Sequence, residues 1–193
     1  MTAVPVVTPS TREAEPSPSP YADRMSDVAR FLPLSHRSPD DVTTPDRRAQ
    51  IAALLALAAP VFDAASTDRR RAFLDEAGLS RDIGGGAALG EVADEIAQGR
   101  RRSIRELTAV TRAYLGLPGD RPPLPFDIAG AVALAAGAKA PFARRAAIAG
   151  HTVRATDAGW TFGRGPEISA SADDIVAFLT GVSDTPPRRT RIS

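Results

Sequence analysis

The feature that most constrains the fold is a change of hydrophobic spacing along the chain. In several segments between residues 22 and 138, apolar residues recur every three or four positions, which is the spacing of one helical face. The clearest example is the stripe of Ile51, Leu54, Leu55, Ala58 and Phe62. From residue 151 to 170, apolar and polar residues alternate in short runs, and a last helical segment ends before Gly181. The sequence therefore predicts an α+β fold: an N-terminal helical bundle, then a small C-terminal domain of short antiparallel strands and one helix.

Local signals predict where several of these elements begin and end. Ser103 and Glu106 form an S-x-x-E capping box, which is typical of the start of a helix. Gly78 stands where a residue in the left-handed conformation would end a helix. Residues 157–159, Asp-Ala-Gly, are typical of a hairpin turn, and Ser171 followed closely by two aspartates predicts the start of the closing helix.

The same signals predict four segments. Residues 1–20 contain five prolines among serines and threonines, which predicts a disordered tail. Residues 21–117 form the predicted bundle and residues 126–182 the small α+β domain, with the boundary either in the proline-rich turn between them or near 140–141. Residues 183–193, with three arginines, are expected to be a basic flexible tail.

Composition excludes several classes of function. The chain has no cysteine, which excludes disulfide scaffolds, zinc ribbons and cysteine nucleophiles. Without the three arginines of residues 186–193, it carries 21 basic and 23 acidic residues, so a nucleic-acid partner is not expected. The longest apolar run, residues 51–62, is well short of the roughly 20 residues that cross a bilayer, so no membrane partner is expected either. The first residues lack the pattern of a signal peptide, and we expect a cytoplasmic location.

Few residues have the spacing of a reactive site. The two histidines, His36 and His151, belong to no metal-binding motif such as H-E-x-x-H. Residues 84–86 are three glycines, but no Lys-Ser or Lys-Thr pair follows them as it would in a phosphate-binding loop. The arginine runs at 69–71 and 100–102 have two interpretations, a grip on an anionic ligand or a solvated helix end, and the sequence leaves both open.

Residues 142–181 carry an ordered set of small, turn-forming and aromatic residues. Its centre reads A-T-D-x-x-W-x-x-G-x-G-P-E, from Ala155 to Glu167, preceded by Arg144-Arg145 and Gly150. In this order the segment resembles the C-terminal domain of the mycothiol-dependent maleylpyruvate isomerase family. The residues also suit a scaffold, since Asp157 would turn the hairpin and Trp160 would be its buried anchor.

The resemblance implies a DinB-like N-terminal bundle with a divalent metal, held by a histidine on an early helix and by a Glu-x-x-x-His pair on a later one. Glu106 stands at the carboxylate position of that pair, and Val110 stands where the histidine is expected. His36 is the candidate for the early histidine, although Pro33 separates it from the helix predicted at 22–32. Zinc is implied by the resemblance alone. We expect no cofactor, because Val110 supplies no ligand and a capping box with Ser103 also explains Glu106.

These observations leave three hypotheses for the function. The first is a diverged maleylpyruvate isomerase-like protein that has become a non-catalytic small-ligand-binding or protein-interaction module. The second is an active metal- and thiol-dependent isomerase or transferase, using mycothiol and altered ligands. The third is a regulator whose arginine-rich tail binds an acidic partner or nucleic acid, for which the nearly neutral body leaves little room.

Overall fold

A computed structural model describes residues 45–80 and 88–189. The predicted disordered tail of residues 1–20, the helix predicted at 22–32, His36 and residues 84–86 lie outside the described residues. The described chain forms seven helices and four short strands. In chain order they are α1 (Arg48–Ala64), α2 (Thr67–Ala77), α3 (Leu89–Gln98), α4 (Ile104–Leu115), α5 (Phe126–Lys139), α6 (Phe142–Ile148), β1 (Thr152–Ala155), β2 (Thr161–Gly163), β3 (Glu167–Ala170), α7 (Ala172–Thr180) and β4 (Arg188–Arg189).

The helical part is built on the stripes that the sequence predicts. All five apolar residues of the α1 stripe are buried. Helix α1 packs on α3, and α2 packs on α4. Helix α4 also contacts α1, α5 and α7, and it buries Leu107, Val110 and Tyr114 almost completely. Each fully buried side chain of this size stabilises the fold by about 1.5–3 kcal/mol, which explains why the helices assemble around α4.

The turn at residues 118–125 does not separate two hydrophobic cores. The buried apolar residues of α4, α5 and α7 belong to one core, although this turn lies between α4 and the other two helices. Asp173 at the start of α7 accepts hydrogen bonds from the backbone N–H of Leu124 (3.0 Å) and from Arg121 (3.4 Å). The predicted α+β arrangement is confirmed, with the helices and the sheet sharing that core.

The small sheet is mixed, whereas the sequence predicts antiparallel strands. Its order is β2-β1-β3-β4, with β1–β2 and β3–β4 antiparallel and β1–β3 parallel. Strands β2 and β3 flank β1 on opposite sides, so Val153 lies between Phe162 and Ile168. A short link between strands usually makes an antiparallel pair, but here residues 164–166 pass the start of β1 instead.

This crossing depends on two glycines. Gly163 and Gly165 have φ angles of 88° and 121°, in the region that side chains disfavour. A Cβ atom at either position would collide with the backbone carbonyl oxygen of His151 or Gly150. The backbone can therefore pass this closely only where both residues lack a side chain.

Two elements have no counterpart in the sequence predictions. Helix α6 has no fully buried residue, and Arg144 ties it to α7 by donating hydrogen bonds to the carbonyl oxygens of Phe178 and Ser183, both at 2.6 Å. Strand β4 lies within the segment 183–193, for which the sequence predicts a flexible tail, and it pairs with β3 at Arg188–Arg189. Strand β4 pairs with the open edge of β3, which supplies its hydrogen-bonding partners. A strand of two residues is too short to leave a recognisable pattern in the sequence.

No single helix in the described ranges is long and apolar enough to cross a membrane. Helices α5 and α6 reach that length and apolar composition only together, across a bend of 117°.

Candidate functional site

A cavity of about 310 Å³ lies beside the N-terminal half of α4, and we call it the α4 cavity. Its apolar lining includes Ile51, Leu79 and Val110, which are almost completely buried. Among the described residues, the charged side chains in its lining are Arg100, Arg102, Arg105 and Glu106. The cavity thus combines a floor made of core residues with several guanidinium groups.

The segment before α4 is tied to the start of α1. Asp46 accepts hydrogen bonds from the backbone N–H groups of Arg48 (3.1 Å) and Arg102 (3.2 Å), and Arg47 donates its backbone N–H to Arg102 (3.0 Å). Burial would raise the pKa of the Asp46 carboxyl, but these hydrogen bonds outweigh it and lower that pKa. These hydrogen bonds therefore fix the segment that carries the arginines before α4 relative to the start of α1.

Glu106 is the most constrained charged group of the cavity. One carboxylate oxygen accepts hydrogen bonds from the backbone N–H (2.8 Å) and hydroxyl (3.0 Å) of Ser103, and the other accepts from Arg100 (2.6 Å) and Arg102 (3.1 Å). Burial alone would raise the pKa of Glu106, but the hydrogen bonds from Ser103 and the arginines lower it to about 2. The predicted capping box is confirmed, and the carboxylate is ionised at neutral pH.

The structure brings Glu106 and Val110 together on the wall of the cavity, as their four-residue spacing on a helix requires. The residues present do not fit a divalent cation. Both oxygens of Glu106 already accept hydrogen bonds, Val110 has no ligand atom, and the other charged groups that the structure describes in the lining are cations. In the described ranges, no group of three or more His, Asp or Glu side chains could hold a metal.

The arginines of the run 100–102 do not share one role. Arg100 and Arg102 line the cavity, and both are paired with Glu106. Arg101 does not line the cavity and instead approaches Asp46 at 3.9 Å. Sequence reasoning missed Arg105, which is exposed in the first turn of α4 and makes no ion pair within the described part of the chain. In the sequence, the only indication of a role for Arg105 was its position next to Glu106.

The residues that carry the resemblance in the C-terminal segment have structural contacts. Asp157 accepts a hydrogen bond from the backbone N–H of Ala172 (2.7 Å), so the hairpin turn caps the first turn of α7. Trp160 is half-buried, stacks on Phe162 with ring centres 6.1 Å apart, and covers Gly130 of α5. The expectation of a fully buried anchor is therefore only partly met.

The chain matches no protein-family model, no curated protein and no solved structure. The similarity of residues 142–181 to the maleylpyruvate isomerase family accordingly stays a prediction from the sequence.

Proposed function

We propose that the chain is a non-catalytic binding module that holds a small organic anion in the α4 cavity. The observation that carries this proposal is the charge of the lining, in which three arginines face one glutamate above an apolar floor. Guanidinium groups recognise carboxylates through paired hydrogen bonds, and an apolar floor favours a ligand with a hydrocarbon body. A volume of about 310 Å³ suits a molecule the size of an aromatic or short branched carboxylic acid.

The state of Glu106 supports a binding role rather than catalysis. A general acid or base works best when its pKa lies near the working pH. The pKa of Glu106 is about 2, and the carboxylate is held by Ser103 and two arginines. In this arrangement Glu106 orders the guanidinium groups, and Arg105 remains available for a ligand.

A direct test uses benzoate as the probe, with benzamide as its neutral counterpart and benzylamine as its cationic one. We expect benzoate to bind and the other two to bind at least about tenfold more weakly, because only benzoate forms charge-assisted hydrogen bonds. Titration calorimetry gives the affinities. Equal binding of benzoate and benzamide would contradict the role of the arginines.

Two variants locate the bound probe. Arg105→Gln should weaken benzoate binding about fivefold or more, and Ala109→Leu should block the cavity without removing a charge. The matched control is Arg101→Gln, a substitution of the same type in the same segment but outside the lining. If Arg101→Gln weakens binding as much as Arg105→Gln does, the probe is responding to overall charge.

The alternative, a metal- and thiol-dependent isomerase or transferase, is tested by metal analysis of the purified protein. Stoichiometric zinc that is lost in Glu106→Ala would replace our proposal with this alternative. If the site has instead lost a histidine, Val110→His should raise zinc affinity, because a Glu and a His four residues apart on a helix can bind one ion.

A further inference from the structure

A second hollow, of about 320 Å³, lies where the C-terminal half of α5, helix α6 and strand β2 meet. Its large apolar residues are Leu134, Ile148 and Phe162. Its polar side chains are Arg145, His151 and Arg164, and none of the described residues that line it is acidic. The hollow is therefore apolar inside and carries only basic or neutral polar groups.

The apolar surface continues beyond the hollow. Leu134 is 61% exposed, and Phe142, one turn before Arg145 on α6, is 78% exposed. We use the name α6 face for the surface formed by Leu134, Phe142, Arg145, Ile148, Phe162 and Arg164. Side chains as large as these are exposed together mainly where another molecule covers them.

Helix α6 is held mainly by a charged side chain. Arg144 bonds to Phe178, Ser183 and Asp184, and the half-buried Ile148 at the end of the helix packs against the core, while no residue of α6 is fully buried. A helix of seven residues is too short to persist on its own in water. The fold thus holds α6 in place and leaves Phe142 at its start exposed.

The cations of the α6 face are available to a partner. Arg145 and Arg164 are exposed, and neither makes an ion pair within residues 45–80 and 88–189. A symmetric contact with a second copy would place this patch, whose described charged groups are all basic, against itself, which is unfavourable. A flat lipid surface would leave the hollow empty, whereas a protein partner can insert a side chain into it.

We propose that the α6 face binds an acidic amphipathic helix of a partner protein, with one large apolar side chain of that helix filling the hollow between Leu134 and Phe162. The carboxylates beside that side chain pair with Arg145 and Arg164. This is the arrangement in which an amphipathic helix lays its apolar side into a groove, and charge complementarity selects the partner. The inference is independent of the α4 cavity and its ligand.

The test uses the full chain and a synthetic, tryptophan-free peptide of about 18 residues, long enough to form a helix. The peptide places Leu on one helical face and Glu elsewhere. One control peptide has the same composition in an order that breaks the face, and another has Lys in place of Glu. Trp160 is the only tryptophan of the chain and stacks on Phe162, so its fluorescence reports occupation of the hollow.

We expect the acidic peptide to bind and its Kd to rise with salt. Replacing Arg145 and Arg164 together by Gln should raise that Kd about tenfold, and Leu134→Ser should raise it about fivefold. Arg69→Gln, an exposed arginine on α2, and Val182→Ser, an exposed apolar residue outside the hollow, should change it by less than about twofold. Circular dichroism of all variants checks that they remain folded.

Four results would overturn the proposal. They are no peptide binding up to about 1 mM, equal binding of the Lys peptide, tighter binding to phosphatidylserine vesicles than to the peptide, and a dimer by light scattering that Leu134→Ser dissociates. The third would assign the face to a lipid surface, and the fourth would assign it to a second copy of the chain.

Discussion

The α4 cavity and the α6 face both place arginines beside apolar side chains, but the arginines of the two regions differ in whether they form ion pairs with described residues. In the α4 cavity, Arg100 and Arg102 are paired with Glu106, and the segment that carries them is tied to Asp46. On the α6 face, Arg145 and Arg164 make no ion pair with any described residue. Arg100 and Arg102 therefore pair within the fold, whereas Arg145 and Arg164 are available to pair with a partner.

Neighbouring residues of α6 show the same contrast at shorter range. Arg144 is largely buried and donates to two carbonyl oxygens at the end of α7, while Arg145 points to solvent. Two arginines adjacent in sequence therefore have different roles: Arg144 connects α6 to α7, and Arg145 is exposed. The lesson is that an arginine pair gives no functional signal until the neighbours of each guanidinium are known.

The largest expected effect concerns the backbone beside the α6 face. Gly165→Ala should destabilise the fold by about 3 kcal/mol or more, because the new Cβ collides with the carbonyl oxygen of Gly150 and φ is 121°. Gly159→Ala is the matched control, since its φ is 67° but the surrounding space is open, and it should cost about 1–2 kcal/mol. Urea unfolding measures both. Equal losses would show that the crossing of β1 is not as close as described.

The next prediction concerns Trp160. Trp160→Ala should cost about 3 kcal/mol, because it removes the ring that covers Gly130 and stacks on Phe162. Trp160→Phe should cost only about 1 kcal/mol. The indole N–H is buried and has no partner among the described residues, so losing it forfeits no hydrogen bond. A much larger loss for Trp160→Phe would contradict this reading.

The two arginines of α6 give the sharpest form of the comparison. Arg144→Ala should cost about 2 kcal/mol, because it removes the hydrogen bonds from Arg144 to the carbonyl oxygens of Phe178 and Ser183. Arg145→Ala should change stability by less than about 0.5 kcal/mol. Thermal unfolding of both proteins decides the matter, and similar losses would mean that Arg145 also has a structural role.

Charge in the α4 cavity should appear as a pH dependence of stability. The pKa of Glu106 is lowered from 4.5 to about 2 on folding, so its contribution is fully present above pH 4.5 and is lost as the pH falls towards 2. Glu106→Gln should cost about 1 kcal/mol at neutral pH and remove that part of the acid dependence. The control is Glu95→Gln, an exposed residue of α3. If Glu106→Gln loses as much stability as the wild type between pH 4.5 and 2, other carboxylates govern the acid dependence in this range.

The smallest effect on stability is expected for Arg105→Gln. It removes a positive charge from the lining without breaking a described ion pair, so unfolding should change by less than about 0.5 kcal/mol while benzoate binding weakens. Loss of binding together with loss of stability would place Arg105 among the structural arginines.

The candidate site was accessible to sequence reasoning only in part. The capping box identified Glu106, and helical spacing placed Val110 on the same wall. The cavity itself depends on Ile51 of α1 and on Leu79, two residues after the end of α2, which have no sequence relation to α4. The sequence alone does not distinguish a capping role of Glu106 from a metal-binding one, because both roles have the same spacing. Only the spatial neighbours of Glu106 distinguish them.

Sequence by itself determined the elements whose signal is local. The α1 stripe, the Ser103 and Ser171 caps, the left-handed Gly78 and the hairpin at 157–159 depend on residues a few positions apart, and each stands where the pattern predicts. Tertiary structure decided the parallel pairing of β1 with β3, the position of α6 and the pairing of β4. Those features depend on a backbone crossing, on Arg144 reaching α7 and on the open edge of β3, which are contacts between residues distant in sequence. No hydrophobic period records such contacts, because spacing encodes which face of an element is buried and not what covers it.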